Sequence, residues 1–108
     1  MRCKFLLLFL LLLLTSCVNY ARHTAYFAEL EPPDKYNHLY NGPVVEYVIS
    51  LAEVRDICGY DGVACSWLAD GTCYRVLPSG GPGLASVSVY RRHETAHCNG
   101  WPANHPRD

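Results

Sequence analysis

The amino-acid sequence predicts a small α+β domain with the element order β-α-β-β-α. Three observations carry this. A β-branched run at residues 44–49 leads directly into Ser50-Leu51-Ala52-Glu53, an S-x-x-E capping box. Asp70-Gly71 stands between two short runs of strand character, a hairpin signal. Near the C-terminus His93 and His97 are four residues apart, with Glu94 directly after the first. Two histidines at i and i+4 share one face when the segment is helical.

The elements follow in order. Val44, Val45, Tyr47, Val48 and Ile49 give the first strand. The first helix opens at the Ser50 cap, runs to about Cys58 and stops at Gly59. Tyr60-Asp61-Gly62 is a turn, residues 64–68 and 72–77 are the hairpin strands, and residues 78–83 form a Pro/Gly-rich loop. The final helix is expected from about Leu84. Ser86-Val87-Ser88-Val89 alone has strand propensity, but Leu84, Val87 and Tyr90 recur every three residues, and Asn99-Gly100 supplies a stop. The domain is thus expected over residues 43–108, with a long last helix packed on a small sheet.

The N-terminus has a different composition. Arg2 and Lys4 precede an unbroken apolar run at residues 5–14. Ten residues or so are too few for a mature bilayer span, which needs about 20, and they suit the core of a secretory signal. The run ends in Leu14-Thr15-Ser16-Cys17, which resembles the lipobox of bacterial lipoproteins. The resemblance implies a signal peptide at residues 1–16, lipidation at Cys17, and a lipidated tether over residues 17–42. Val18 in place of Asp implies the outer membrane as destination. Tyr20, Tyr26, Tyr36 and Tyr40 exceed what a plain spacer needs, and His23 and His38 are expected to face solvent.

The chain has 108 residues and a formal net charge of −1. Loss of Arg2 and Lys4 with the signal makes the mature charge about −3. No basic patch exists, which excludes nucleic acid as the expected partner. Of six cysteines, Cys3 lies in the signal and Cys17 is the lipid site, leaving Cys58, Cys65, Cys73 and Cys98. Four cysteines in a small exported domain read as two disulfides. The preferred pairing is Cys65 with Cys73 across the hairpin and Cys58 with Cys98 between helix ends. No CxxC knuckle supports a cysteine metal site instead.

The chemistry concentrates in HETAHCNGWPA and the following His105. Two imidazoles on one helical face can bind one cation, and a catalytic zinc site requires a third protein ligand and leaves a position for water. His105 is the leading third ligand, with Gly100 letting the chain turn back and Pro102 and Pro106 stiffening the return. Asp108 and the upstream loops are alternatives. Glu94 is placed to act as general base.

These residues resemble the zincin metallopeptidases. His93, Glu94, His97 and Gly100 match the metzincin pattern HExxHxxGxxH. Ala103 stands where that pattern has its third histidine, and no Met follows. The segment is also similar to small bacterial exported lipoproteins that carry HExxHCxGW. The resemblance implies a zincin-like domain with Zn2+ bound by His93, His97 and His105, and Glu94 activating water. It also implies an edge strand, assigned to residues 73–77, that pairs with an extended substrate; Tyr74 and Arg75 are the candidates for a stabilising donor. The expected function is a lipid-anchored periplasmic zinc hydrolase acting on peptide or cell-wall amide bonds, with a protein partner completing a shallow cleft. The alternative is a non-catalytic, disulfide-stabilised envelope binding module with a structural metal.

Overall fold

A computed structural model describes residues 28–107. The expected signal peptide, the expected lipidation site Cys17, the first part of the expected tether and Asp108 lie outside the described residues. The element order is β1 (Val44–Ile49), α1 (Leu51–Cys58), β2 (Cys65–Ala69), β3 (Thr72–Pro78) and α2 (Val87–Cys98), the β-α-β-β-α order expected of a small α+β domain. Among the described residues no helix is long and apolar enough to cross a membrane.

Local chemistry sets the boundaries. Ser50 Oγ accepts from the Glu53 N–H at 3.2 Å and starts α1, as its capping box requires. Ala69 pairs with Thr72 across Asp70-Gly71, both at positive φ (51° and 78°), the backbone that a two-residue hairpin turn needs. α2 starts three residues later than expected. Leu84 instead closes a turn on the Gly81 carbonyl, and Ser86 takes the extended N-cap position.

The sheet has the order β1-β3-β2, with β1 parallel and β2 antiparallel to β3. Register assigns the faces, because neighbours in register share a side and successive residues alternate. Glu46, Arg75 and Ser66 form one row, and Cys73 and Leu77 lie on the same face, which α2 covers. Cys65 and Val76 lie on the other face, toward α1. Val54, Cys73, Val76, Leu77, Tyr90, Ala96, Cys98 and Trp101 are the buried core of the described residues.

The disulfides correct the expected pairing. Cys58 bonds Cys65, and Cys73 bonds Cys98. Cys65 stands opposite Val76 and Cys73 opposite Leu68, so the two are three register positions apart. An odd step puts them on opposite faces of the sheet. Cys58 and Cys98 end helices on those opposite faces, and each bonds the strand cysteine beneath it. One bond staples α1 to β2; the other staples α2 to the central strand.

The described part of the segment expected as a tether lies against this domain. Residues 28–30 are helical and Asp34–Tyr36 forms a 3-10 turn. Asn99 Nδ2 donates to the Tyr36 and His38 carbonyls at 3.0 and 2.7 Å, and the Tyr40 hydroxyl donates to the Gly71 carbonyl at 2.6 Å. The Arg107 guanidinium donates to the Glu31 carbonyl at 2.6 Å.

Candidate metal centre

α2 presents His93 and His97 one turn apart on one face, as their spacing requires. The helix ends in a Schellman motif. The Trp101 N–H donates to the Ala96 carbonyl and the Gly100 N–H to the His97 carbonyl, both at 3.0 Å. Gly100 has φ 103°, a conformation that would strain any residue with a Cβ. The chain then doubles back. The His105 N–H donates to the Pro102 carbonyl at 2.9 Å, and the buried Trp101 Nε1 donates to the Pro106 carbonyl at 2.9 Å. His105 itself takes a left-handed backbone (φ 57°), which this tie holds in place.

The result brings three imidazoles together. The Nε2 atoms of His93 and His97 lie 3.2 Å apart, those of His93 and His105 3.2 Å, and those of His97 and His105 3.0 Å. This three-histidine group could hold a metal ion. The other ring nitrogens decide the fit. His93 Nδ1 donates to the Leu30 carbonyl at 2.8 Å, and His97 Nδ1 donates to the Trp101 carbonyl at 2.8 Å. A carbonyl only accepts, so each Nδ1 carries the proton and each Nε2 presents a lone pair. Two lone pairs facing each other at 3.2 Å repel unless a cation lies between them. Tetrahedral zinc, with Zn–N of about 2.0–2.1 Å, separates two nitrogen ligands by about 3.3–3.4 Å, close to the spacing here. Carbonyls on the far nitrogens are the usual means of orienting such ligands.

Electrostatics favour the same state. Burial pushes the His93 imidazole down to about 4, against the raising effect of the Leu30 carbonyl. His105 is lowered as well, first by burial and then by His97. Both rings are therefore neutral at neutral pH, the form that binds a metal. Trp101 stacks on His97, with ring centroids 5.0 Å apart and 14° between planes.

Glu94 is buried beside this cluster. Its Oε1 accepts from Ser66 Oγ at 2.8 Å, and its Oε2 lies 4.0 Å from His93 Nε2. Burial raises its pKa and the Ser66 hydrogen bond only partly offsets this. A cleft of about 140 Å³ opens between β2 and the end of α2, lined by Ser66, Trp67, Leu68, His97 and Cys98.

The sequence reading missed three of these contacts. Ser66, the Leu30 carbonyl and Trp101 orient Glu94, His93 and His97, and only Trp101 had a signal, as a large apolar residue directly after the glycine stop. The strand expected to pair with substrate is corrected. Residues 73–77 belong to β3, which is bonded on both sides by β1 and β2 and has no free edge. β2 is the edge beside the cleft. The candidates for a stabilising donor are occupied elsewhere. Tyr74 lies on the sheet face away from α2, stacked on Trp67 (centroids 5.4 Å, planes 4° apart), and Arg75 is bonded to Glu46 and Thr95.

Compared with family models, with curated proteins and with solved structures, the chain matches none. The fold and the site define a small disulfide-stapled α+β domain with a three-histidine centre able to take a metal ion.

Proposed function

We propose that the chain is a zinc-dependent hydrolase of peptide or cell-wall amide bonds, anchored by lipid at Cys17 on the periplasmic side of the outer membrane. His93, His97 and His105 would hold the ion. The observation that carries this reading is the convergence of three Nε2 atoms whose His93 and His97 members have their Nδ1 protons committed to carbonyls.

Zinc, when bound, supplies a Lewis acid and lowers the pKa of water to about 7. The remaining work belongs to this chain's residues. Glu94 accepts a proton at a carboxylate oxygen from the attacking water and passes it to the leaving nitrogen. Its burial supports that role, since a raised carboxyl pKa moves the base toward neutral pH. Ser66 holds Glu94 in one orientation through Oε1. The β2 edge offers unpaired main-chain groups to an extended substrate, and Leu68, on the same sheet face as Ser66, offers an apolar wall.

Glu94→Gln tests the reading. The variant keeps the shape and the Ser66 contact but cannot accept the proton. It is expected to retain stoichiometric zinc and to lose hydrolysis of a peptide library. Turnover equal to that of the parent would remove the enzyme reading.

The cleft size favours a second reading. About 140 Å³ falls below the roughly 300–1,000 Å³ usual for ligand sites. A partner that completes the wall is one answer; the other is a non-catalytic envelope module whose metal only braces the fold. Undiminished zinc-dependent stability in Glu94→Gln, with no activity in the parent, would favour the module.

A further inference from the structure

The flank of α2 opposite His93 and His97 carries a second group of charged side chains. Arg91 and Thr95 stand one turn apart there, with Arg92 beside them, and Arg75 reaches toward them from β3. With Asn37, His38 and Leu39 they line a cavity of about 300 Å³. Glu46 binds two of the three arginines. Its Oε1 accepts from Arg75 Nε at 2.7 Å and Arg91 Nε at 2.8 Å, and its Oε2 accepts from Arg91 Nη2 at 2.9 Å. Arg75 Nη1 donates to Thr95 Oγ1 at 2.7 Å. Among the described residues Arg92 meets Glu31 alone, at 3.3 Å, in an exposed pair of the kind that contributes little.

Three guanidinium groups therefore face two carboxylates, one of them shared. The local surplus is one positive charge, in a chain whose formal net charge is −1. Glu46 and Thr95 hold Arg75 and Arg91 in fixed orientations, so their remaining N–H donors are preorganised. Leu39 forms the facing wall and is 90% exposed, an apolar side chain with nothing laid over it among the described residues.

We propose that this cavity binds a small organic carboxylate, its head held by Arg91 and Arg92 and its apolar body laid against Leu39. One surplus charge matches a monoanion rather than a phosphate. The planar fork of Arg92 matches two carboxylate oxygens, and Arg91, whose Nε and Nη2 are held by Glu46, adds its Nη1 donors. This site is independent of the hydrolase reading, since the bulk of α2 separates it from the histidines.

The full chain in a non-ionic detergent, with Arg Nε–Hε signals followed by 15N NMR, gives the test. Butyrate and acetate are titrated at ionic strength held constant with sodium chloride. Saturable shifts at Arg91 and Arg92 are expected, with butyrate about fivefold tighter than acetate because its extra methylenes meet Leu39. Arg92→Gln lies outside the Glu46 network and is expected to weaken butyrate about 10- to 100-fold. Leu39→Ala should bring butyrate down to acetate's affinity. Shifts that stay linear and match those from chloride overturn the proposal, as does equal affinity in Arg92→Gln. Inorganic phosphate binding more tightly than butyrate overturns the carboxylate assignment.

Discussion

Replacing Cys73 and Cys98 together by alanine is expected to cost more stability than replacing Cys58 and Cys65. The bonds close loops of sequence separation 25 and 7. Loop-closure entropy then gives about 3.5 kcal/mol for the first and about 2.5 kcal/mol for the second at 25 °C. Cys73 and Cys98 are also both buried, so alanine leaves space in the core and brings the first loss to about 4–5 kcal/mol. A small domain holds about 5–15 kcal/mol in all, so this variant stands near its unfolding threshold. Urea unfolding of the oxidised proteins, followed by tryptophan fluorescence, measures the difference. At about 1–1.5 kcal/mol per molar urea, the midpoint should fall by about 3–4 M for the Cys73/Cys98 variant and by about 2 M for the other. If the centre takes zinc as proposed, saturating zinc should restore part of the loss, because only the folded state would bind it. An equal or larger loss in the Cys58/Cys65 variant would refute the reasoning, as would a peptide map showing Cys65 joined to Cys73.

Three further outcomes test the centre and its supports. His105→Ala is expected to lower zinc affinity by about 100-fold or more, with unfolding little changed in chelator, because on the proposed reading this exposed residue contributes a ligand rather than packing; competition with a metal indicator reads it. Trp101→Phe keeps an aromatic ring beside His97 but loses the Nε1 donation to Pro106, so zinc affinity should fall about 10- to 100-fold while His93 and His97 remain in place. Glu46→Gln should cost about 1–2 kcal/mol at pH 7, between the exposed and buried limits for ion pairs. The Arg91 hydrogen bond, with Arg75, lowers the Glu46 pKa below its ordinary 4.5. Its stabilisation is therefore full above about pH 5 and fades as pH falls through the folded pKa. The wild-type and Glu46→Gln stability curves should converge on acidification from pH 5 to pH 3; curves that stay parallel would remove this ion pair from the account.

What the sequence made legible was local. The Ser50–Glu53 box, the Asp70-Gly71 turn, the i, i+4 histidines and the Gly100 stop each depend on groups within about four residues. Their physics is complete in the string. What stayed hidden depends on contacts across long separations. The Leu30 carbonyl reaches His93 across 63 residues, and Ser66 reaches Glu94 across 28. The disulfide pairing required the hairpin register and the helix placement together, and a one-residue change of register would have reversed the answer. The central position of β3 did leave a trace. Val76-Leu77-Pro78 is a continuous run buried on both faces, which suits an interior strand better than an edge.

The placement of Glu94 bears on whether a metal here is catalytic or only structural. Taking a carboxylate out of water is costly, and the residue's raised pKa records that cost. Stable domains offset it with a paired cation, as Glu46 does with Arg75 and Arg91 in the same row of the sheet as Ser66. No arginine or lysine among the described residues pairs with Glu94, and one hydroxyl hydrogen bond compensates only partly. A fold needing only a brace would do better with an apolar residue at this position. On the proposed reading, a divalent cation held by the adjacent imidazoles would supply the missing charge and give the carboxylate a solvent molecule to work on. The expected consequence separates the roles. Glu94→Leu should raise stability in chelator relative to the parent, while the parent gains more from zinc than the variant does. If Glu94→Leu destabilises the metal-free domain, the carboxylate is structural and the argument for a base at this position fails.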